Sequence, residues 1–395
     1  MIELAKTDLC TGCGACSFVC SKQCISMQEN GIGVVLPVVD ATNCIDCHRC
    51  EKICPIINPV DFRQPIKAYA AWSSNEEERR TSASGGIAIE VYKDAVEKGY
   101  ACVGAVQNEN FSVSLYVVES EKELASFKNS KYVFSTATDV FAQIKILLKQ
   151  NRKVLIIALP CQIAALRKIF KDNENLLLAD VVCHGTTPFS YLQQHISSLE
   201  KQLGEKAVRM SFRDPDTYTY TFTFTLYNAD GQRFYAKRTK HGDLYQYGYH
   251  RTISYRENCY HCHFARSRRI SDFTLSDYKG LGKMAPCTFD ALNVSSILIH
   301  TLKGENFIER LISEGKIIAE ERPVQEPIAG DAQLRHPSVK SSARKDFEKL
   351  IVLHRGNFFP AISAVYKRAI RREKIADIYS FPKRLLQKIK RTIFK

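Results

Sequence analysis

No run of 18 apolar residues occurs in these 395 residues, so no bilayer-spanning helix is expected. A secretory leader is missing too, as are low-complexity tracts and any nickel or molybdenum motif. The basic residues come without a recognised nucleic-acid-binding motif, which argues against nucleic acid as a partner. Acidic residues are outnumbered 42 to 56, for a net charge of +14. The shortage is local. From Tyr366 to Lys395, eleven lysines and arginines meet only Glu373 and Asp377, a surplus of nine. Within that stretch residues 381–395 read as a basic amphipathic helix, with Leu385, Leu386, Ile389 and Ile393 on one face. Such a helix suits an anionic membrane surface or an acidic partner, or packs as a solvated tail on its own domain. The 45% hydrophobic content permits ordinary globular cores, and the length allows two or three domains.

Cysteine, by contrast, is plentiful: there are fifteen. Eight form two runs, Cys10-x2-Cys13-x2-Cys16-x3-Cys20 and Cys44-x2-Cys47-x2-Cys50-x3-Cys54-Pro55, and the doubled run is the only internal repeat. Three thiolates spaced by three on a tight loop each reach a different iron of one cube, and the last cysteine of each run ligates the other cube. This is the pattern of a bacterial-type ferredoxin with two 4Fe-4S clusters. It assigns Cys10, Cys13, Cys16 and Cys54 to one cluster and Cys44, Cys47, Cys50 and Cys20 to the other. Zinc ribbons would place Cys-x2-Cys pairs around a spacer, and structural disulfides do not fit a chain of this size without a leader. Ser21 stands where the first run would usually carry proline, and Cys24 reads as a small packed thiol. Residues 32–39 read as a hairpin or strand between the two halves. Free thiols at this density place the chain in a reducing cytosol.

After a linker at 59–65, strand and helix patterns alternate. Strands are predicted at 66–72, 101–106, 112–118, 153–158 and 176–182, and helices at 86–98, 139–150, 162–170 and 190–203, which is an α/β core. Residues 218–227 then alternate strictly, Asn228-Ala-Asp-Gly231 makes a turn, and 232–237 return, which reads as an antiparallel hairpin. Four more thiols stand in ligand-like places. Cys161 and Cys183 each follow the end of a buried strand, where α/β sheets form sites, and Cys259-Tyr-His-Cys262 is a CxxC pair. Together they suffice for a third 4Fe-4S cluster. Zinc held by Cys259 and Cys262 with His261 and His263, or plain packing thiols, are the alternatives. Cys102, inside a strand, and Cys287, in a loop, are read as non-ligands.

From about Ala68 to Gly304 the chain resembles the family of coenzyme F-420 hydrogenase and dehydrogenase beta subunits, which includes the plant 7-hydroxymethyl chlorophyll a reductase. The matching stretches are Ser82-Ala-Ser-Gly-Gly86, Ser130-Lys-Tyr-Val-Phe-Ser135, Pro160-Cys-Gln-Ile-Ala-Ala-Leu166, Asp180-Val-Val-Cys-His-Gly185, and Cys259-x2-Cys262 followed by Arg269-Ile-Ser-Asp-Phe-Thr-Leu-Ser-Asp277. The chain departs from the family at Ala158-Leu159, where Gly-Thr is usual, at Ser276-Asp-Tyr-Lys-Gly280, where Gly-Asp-Phe-Trp-Gly is usual, and over 284–296.

The resemblance implies FAD beside the third cluster. Ser82, Ser84, Gly85 and Gly86, before a helix, suit its pyrophosphate, although Ser84 alone would serve as an N-cap. Lys128, Asn129, Ser130 and Lys131 form a polar, basic loop for the same phosphates. His184 is placed to donate a proton as a catalytic residue, to tune the flavin, or to hold structure. The expected fold is α+β: an N-terminal dicluster ferredoxin fold (1–60), an α/β flavin and iron–sulfur domain with an antiparallel hairpin insertion (66–320), and a helical, basic C-terminal tail (331–395).

The first functional reading is a cytoplasmic flavoprotein reductase, peripheral to the inner face of the membrane where the tail docks. It would relay electrons from ferredoxin, or another low-potential donor, through the clusters to FAD and an organic substrate. The second is an electron-transfer beta subunit exchanging hydride with coenzyme F-420 in a hydrogenase or dehydrogenase complex. A non-catalytic iron–sulfur binding protein is the third. A second copy of the chain, as a homo-oligomer, completes the expected partners.

Overall fold

A computed structural model of the chain describes residues 2–217, 219–239 and 242–372. The amphipathic helix read at 381–395, with its membrane or acidic partner, lies outside them.

Each cysteine run closes over one turn of helix. These turns are α1 (Ala15–Val19), preceding the hairpin of β1 (Ile25–Glu29) and β2 (Val35–Val39), and α2 (Arg49–Ile53) after it. The strands pair antiparallel, Ile25 opposite Val39, so the stretch read at 32–39 is the hairpin's turn and second strand. The Asn30 side chain accepts from the N–H groups of Ile32 and Val34, and Gly33 takes the left-handed conformation the turn needs (φ 81°).

The linker then leads into β3 (Lys67–Ser73), α3 (Glu76–Thr81), α4 (Ile87–Glu97), the hairpin β4 (Ala101–Gln107) and β5 (Val113–Val118), and the two-residue β6 (Ser135–Thr136). α5 (Thr138–Lys149), β7 (Val154–Ala158), α6 (Pro160–Phe170), β8 (Leu176–Val181) and α7 (Phe189–Leu203) follow. A small sheet of β9 (Arg209–Ser211), β10 (Thr223–Tyr227) and β11 (Arg233–Arg238) intervenes before α8 (Leu244–His250). β12 (Phe273–Asp277), β13 (Ser295–Ile299), α9 (Leu302–Ser313) and β14 (Ile317–Arg322) complete the main sheet, and α10 (Gln325–Gly330) and α11 (Ser342–Leu353) come last among the labelled elements.

The main sheet has nine strands in the order β14-β3-β13-β12-β8-β7-β4-β5-β6. β12, β8, β7 and β4 run parallel at its centre, and antiparallel pairs flank them. Side chains of β7 alternate between two cores, as period-2 geometry requires. Val154, Ile156 and Ala158 pack with α5 and α6. Leu155 and Ile157 pack on the face covered by α4 and α9. Each of the valine, leucine and isoleucine side chains among them contributes about 1.5–3 kcal/mol. The cysteine-rich head joins the first of these cores: Ala15, Phe18, Ile53, Ile56 and Phe62 lie with Phe141, Ile144 and Ile163, and the Phe18 and Phe141 rings meet edge-on at 5.4 Å.

Two expectations change. Among its described residues, the strictly alternating run at 218–227 is strand only over Thr223–Tyr227; Pro215–Thr217 and Thr219–Thr221 form 3-10 turns, and Phe222 has φ 50°. β9 is three residues long and pairs with Thr225–Tyr227, so the first half of the run has no strand beside it to hold it extended. The start of the segment read as tail is core. Phe347, Ile351, Phe358, Ala361, Ile362 and Val365 are buried against Tyr191, Leu192 and Phe224. The fold is mixed α+β.

Candidate functional site

Cys161 sits in the first turn of α6, directly after β7, and Cys183 stands two residues beyond β8. Cys259 lies in the 3-10 turn Glu257–His261 and Cys262 caps its end. All four thiols line one pocket with Leu159, Thr186, Asn258 and Phe264. Burial pushes the Cys161 thiol well above its ordinary pKa, and Cys183, Cys262 and Cys259 add like-charge repulsion. Cys183 is raised for the same reasons, burial first, then Cys259 and Cys262. Thiols crowded and dried in this way do not ionise on their own; a cationic iron cluster is what would let them. Donors are already aimed at one sulfur, since Thr186 N–H approaches Cys259 Sγ at 3.4 Å. His261 turns to Glu257 (3.3 Å), and among the described residues no three His, Cys, Asp or Glu side chains converge as a single metal ion requires. The donor set therefore fits a cluster, with its ligands spread around a cube, better than zinc.

The head gathers its thiols at two places, with Cys16 packed between them. Cys10, Cys13, Cys16 and Cys54 line one cavity. Burial raises Cys10 and takes Cys13 to about 11, with Cys54 adding repulsion to both. Cys20 and Cys44 pack around Cys24 with Cys50, and the exposed Cys47 lies beside Cys50. Cys24 is the packed thiol that was expected, 3.4 Å from Cys20 Sγ. Cys102 is fully buried within β4. Cys13 packs on the same core as Cys161 and Cys262, and Thr11 of the head lines the four-thiol pocket, so the head's first site adjoins it.

Cys183, His184, Gly185 and Thr186 wall this pocket on one side and a larger cleft of about 370 Å³ on the other. The cleft opens at the carboxyl ends of β7, β8 and β12, where parallel sheets bind ligands. Its far wall is aromatic: Tyr132 stacks on Tyr249 at 4.5 Å between ring centres, and the Arg213 guanidinium lies 4.6 Å over Phe222. Arg213 is held there by both oxygens of Asp277, each at 3.1 Å.

The residues expected to meet FAD divide. Ser82, Ser84 and Gly86 line the cleft and Gly85 does not. The Ser82 Oγ is buried with no partner. Gly86, in the left-handed conformation, caps α4 without a side-chain hydrogen bond, so the first-turn N–H groups face the cleft uncapped. Ser84 is not the N-cap; its hydroxyl donates to Val294 O at 3.1 Å. Gly85 N–H donates to Ser295 Oγ, and a Cβ there would meet Ala71 O at 2.5 Å, so packing against β3 and β13 explains this glycine. Lys128, Asn129, Ser130 and Lys131 do border the cleft. Both ammonium groups are engaged within the protein, Lys128 with Glu78 and Thr81, and Lys131 with four carbonyls of its own loop. Burial draws Lys131 down to about 7. An orphan hydroxyl, the unpartnered Asn129 Oδ1, an uncapped helix end and an aromatic wall fit a flavin nucleotide, with less positive charge on its phosphates than the sequence promised.

His184 faces the cleft. Its Nε2 accepts from Lys279 Nζ at 3.0 Å, and Lys279 pairs with Asp331 at 3.0 Å. Burial alone would raise Asp331, but its neighbours, the His184 ring at 3.8 Å and the Lys279 ammonium, prevail and hold it at about 2. Sequence reasoning missed Lys279, Asp331, Arg213 and Arg256 as site residues. Lys279 was in view as a departure from a motif and Asp277 as the end of a matching stretch, and Arg256 stands three residues before Cys259. Arg213 and Asp331 gave no local signal, because only the fold brings them to the cleft.

Residues 151–324 match the family model for the carboxy terminus of the coenzyme F420 hydrogenase/dehydrogenase beta subunit, and residues 9–56 match a 4Fe-4S dicluster domain. The F subunit of the F(420)H(2) dehydrogenase of Methanosarcina mazei is 21% identical over 81% of this chain and 87% of its own. The coenzyme F-420-dependent sulfite reductase of Methanocaldococcus jannaschii is 27% identical over 42% of this chain and 26% of its own. A chain of the F-420-reducing NiFe hydrogenase complex from Methanosarcina barkeri aligns with 80% of this chain and 94% of its own at 17% identity and TM-score 0.41, a superposition too loose to speak to the site. No helix among the described residues is long and apolar enough to cross a membrane. A 4Fe-4S dicluster head joined to this carboxy-terminal domain makes the chain an iron–sulfur electron-transfer oxidoreductase, and it belongs to the family of coenzyme F-420 hydrogenase/dehydrogenase beta subunits.

Proposed function

We propose that this chain is the F-420-oxidising or F-420-reducing subunit of a larger redox complex, exchanging hydride at the cleft and single electrons at its cysteine sites. The observation that carries this is the shared wall at Cys183–Thr186: a four-thiol pocket and a nucleotide-sized cleft touch through it, and the head's first site adjoins the same pocket. FAD in the cleft would convert a two-electron hydride into single electrons for 4Fe-4S clusters at the three thiol sets. Ser82 and the start of α4 would hold its phosphates, and Tyr132, Tyr249 and Phe222 would cover the ring face. Oxidation of the reduced carrier releases a hydride and a proton; His184 Nε2, the acceptor of the Lys279 hydrogen bond, is the basic atom placed to take that proton, with the Asp331 carboxylate nearby to balance the added charge.

Of the two leading readings of the sequence, the names of the relatives favour F-420 over a stand-alone, ferredoxin-fed reductase of an organic substrate. The test is anaerobic: the reconstituted chain is mixed with reduced F-420 while the 420 nm band of the oxidised carrier and the visible absorbance of the clusters are followed. The proposal expects the band to grow as the cluster absorbance bleaches. Bleaching by reduced ferredoxin with no response to reduced F-420 would return the assignment to the reductase reading.

A further inference from the structure

Arg256 is the point at which the head and the four-thiol pocket meet. Its backbone N–H donates to Thr186 O at 2.9 Å, on the wall beside Cys183. Its side chain crosses to the head, where Nη1 donates to Thr11 O at 3.0 Å and Nη2 to Val35 O at 3.5 Å. The guanidinium lies 4.1 Å over the Phe134 ring, the residue is 2% exposed, and Nε has no partner. The cysteine loop makes room for it: a Cβ at Gly12 would come within 2.9 Å of Nη2. A second buried arginine near the pocket, Arg269, meets Asp180 at 2.8 Å. Among the described residues Arg256 has no such carboxylate.

A buried, unpaired guanidinium is costly and persists where a negative charge balances it. Arg256 lines the four-thiol pocket together with Cys161, Cys183, Cys259 and Cys262, and the ionisable groups bearing on it are thiols on both sides, Cys259 and Cys161 in the pocket, Cys10 and Cys13 in the head. A 4Fe-4S cube with four thiolates carries net negative charge, and a cation beside it stabilises the reduced state. Cys20, Cys44 and Cys50 pack instead around Cys24, and Cys47 is exposed beside Cys50.

We infer that Arg256 is a positioning residue shared by two iron–sulfur sites. Its single cation balances the Cys10/Cys13/Cys16/Cys54 site and the Cys161/Cys183/Cys259/Cys262 site together, raises the reduction potential of both, and fixes their separation. The inference rests on the three-cluster reading proposed above, and the experiment keeps the two apart. Iron per chain and the three midpoint potentials, by EPR-monitored redox titration, are measured for the whole unmodified chain, Arg256→Gln and Arg256→Lys. Glutamine keeps a polar amide but is shorter and carries no charge; lysine keeps the charge and loses the fork. About twelve irons in the unmodified chain is the precondition, and about eight would overturn the cluster reading itself. Given twelve, Arg256→Gln is expected to lower two potentials and leave the third in place, with Arg256→Lys close to the unmodified chain. Loss of iron in the glutamine variant alone also supports a role for the charge. Three unmoved potentials, three moving together, or a lysine variant that behaves like the glutamine one would overturn the inference while the cluster count stands.

Discussion

Ser82 carries a hydroxyl buried beside the cleft with nothing to bond, and its removal has two effects of opposite sign. Without flavin, Ser82→Ala should stabilise the chain by up to about 1 kcal/mol, because an unsatisfied polar group is gone. With flavin, the same change should weaken retention by about five- to tenfold, one hydrogen bond's worth, read by fluorescence titration. Thiol substitutions report on the pocket. Replacing any one of Cys161, Cys183, Cys259 or Cys262 with serine should remove about four irons per chain, with the signals of the head's two sites retained. An unchanged iron count in all four variants would refute the assignment. His300 gives a pH dependence. Burial, then the nearby Arg269 charge, lowers it to about 3 from the ordinary 6.5. A depressed histidine favours the native state while it is neutral, so its contribution is complete above pH 6.5 and is lost as pH falls towards 3. From pH 7 to pH 5 the loss is about 2 kcal/mol. Chemical denaturation at the two pH values should show it, and His300→Gln should flatten the difference.

At the scale of elements, the head docks through α1 on the start of α5. Gly14 has φ 78°, and a Cβ there would fall 2.1 Å from Thr138 Cγ2. Gly14→Ala should therefore loosen the head, seen as faster proteolysis within residues 56–66, and Thr138→Ser, which deletes the offending methyl, should recover part of the loss; independent effects of the two would refute this contact. How legible an element was depended on where its partners sit. Apart from α3 and β6, which the sequence reading did not contain, the helices and strands from β3 to α7 fall within about two residues of their sequence readings, because buried runs and 3.6-residue periodicity are local. The four thiol positions at strand ends and in the CxxC pair were legible for the same reason. The front half of the 218–227 alternation was not, since extended backbone needs a neighbouring strand and β9 is too short to supply one. Nor did local sequence show that Lys128 answers to Glu78, which lies fifty residues away on α3.

For the whole molecule, the order of sites along the body follows from packing. The Cys20-containing set is the outer end of the head, its Cys47 exposed, and the Cys10-containing set is the inner end, against the pocket. Electrons are expected to pass between the cleft and the outer set through those two inner stations, so a partner that accepts or supplies them should compete for the surface around Cys47. Gly185, in the wall between pocket and cleft, has φ 145°, and a Cβ there would strike the Tyr255 ring at 2.4 Å. Neither room can be remodelled at that partition without disturbing the other. Divergence among descendants of this chain should thus be concentrated on the opposite bank, around Arg213, Phe222 and His250, where new cargo could be accommodated while the wiring is inherited intact.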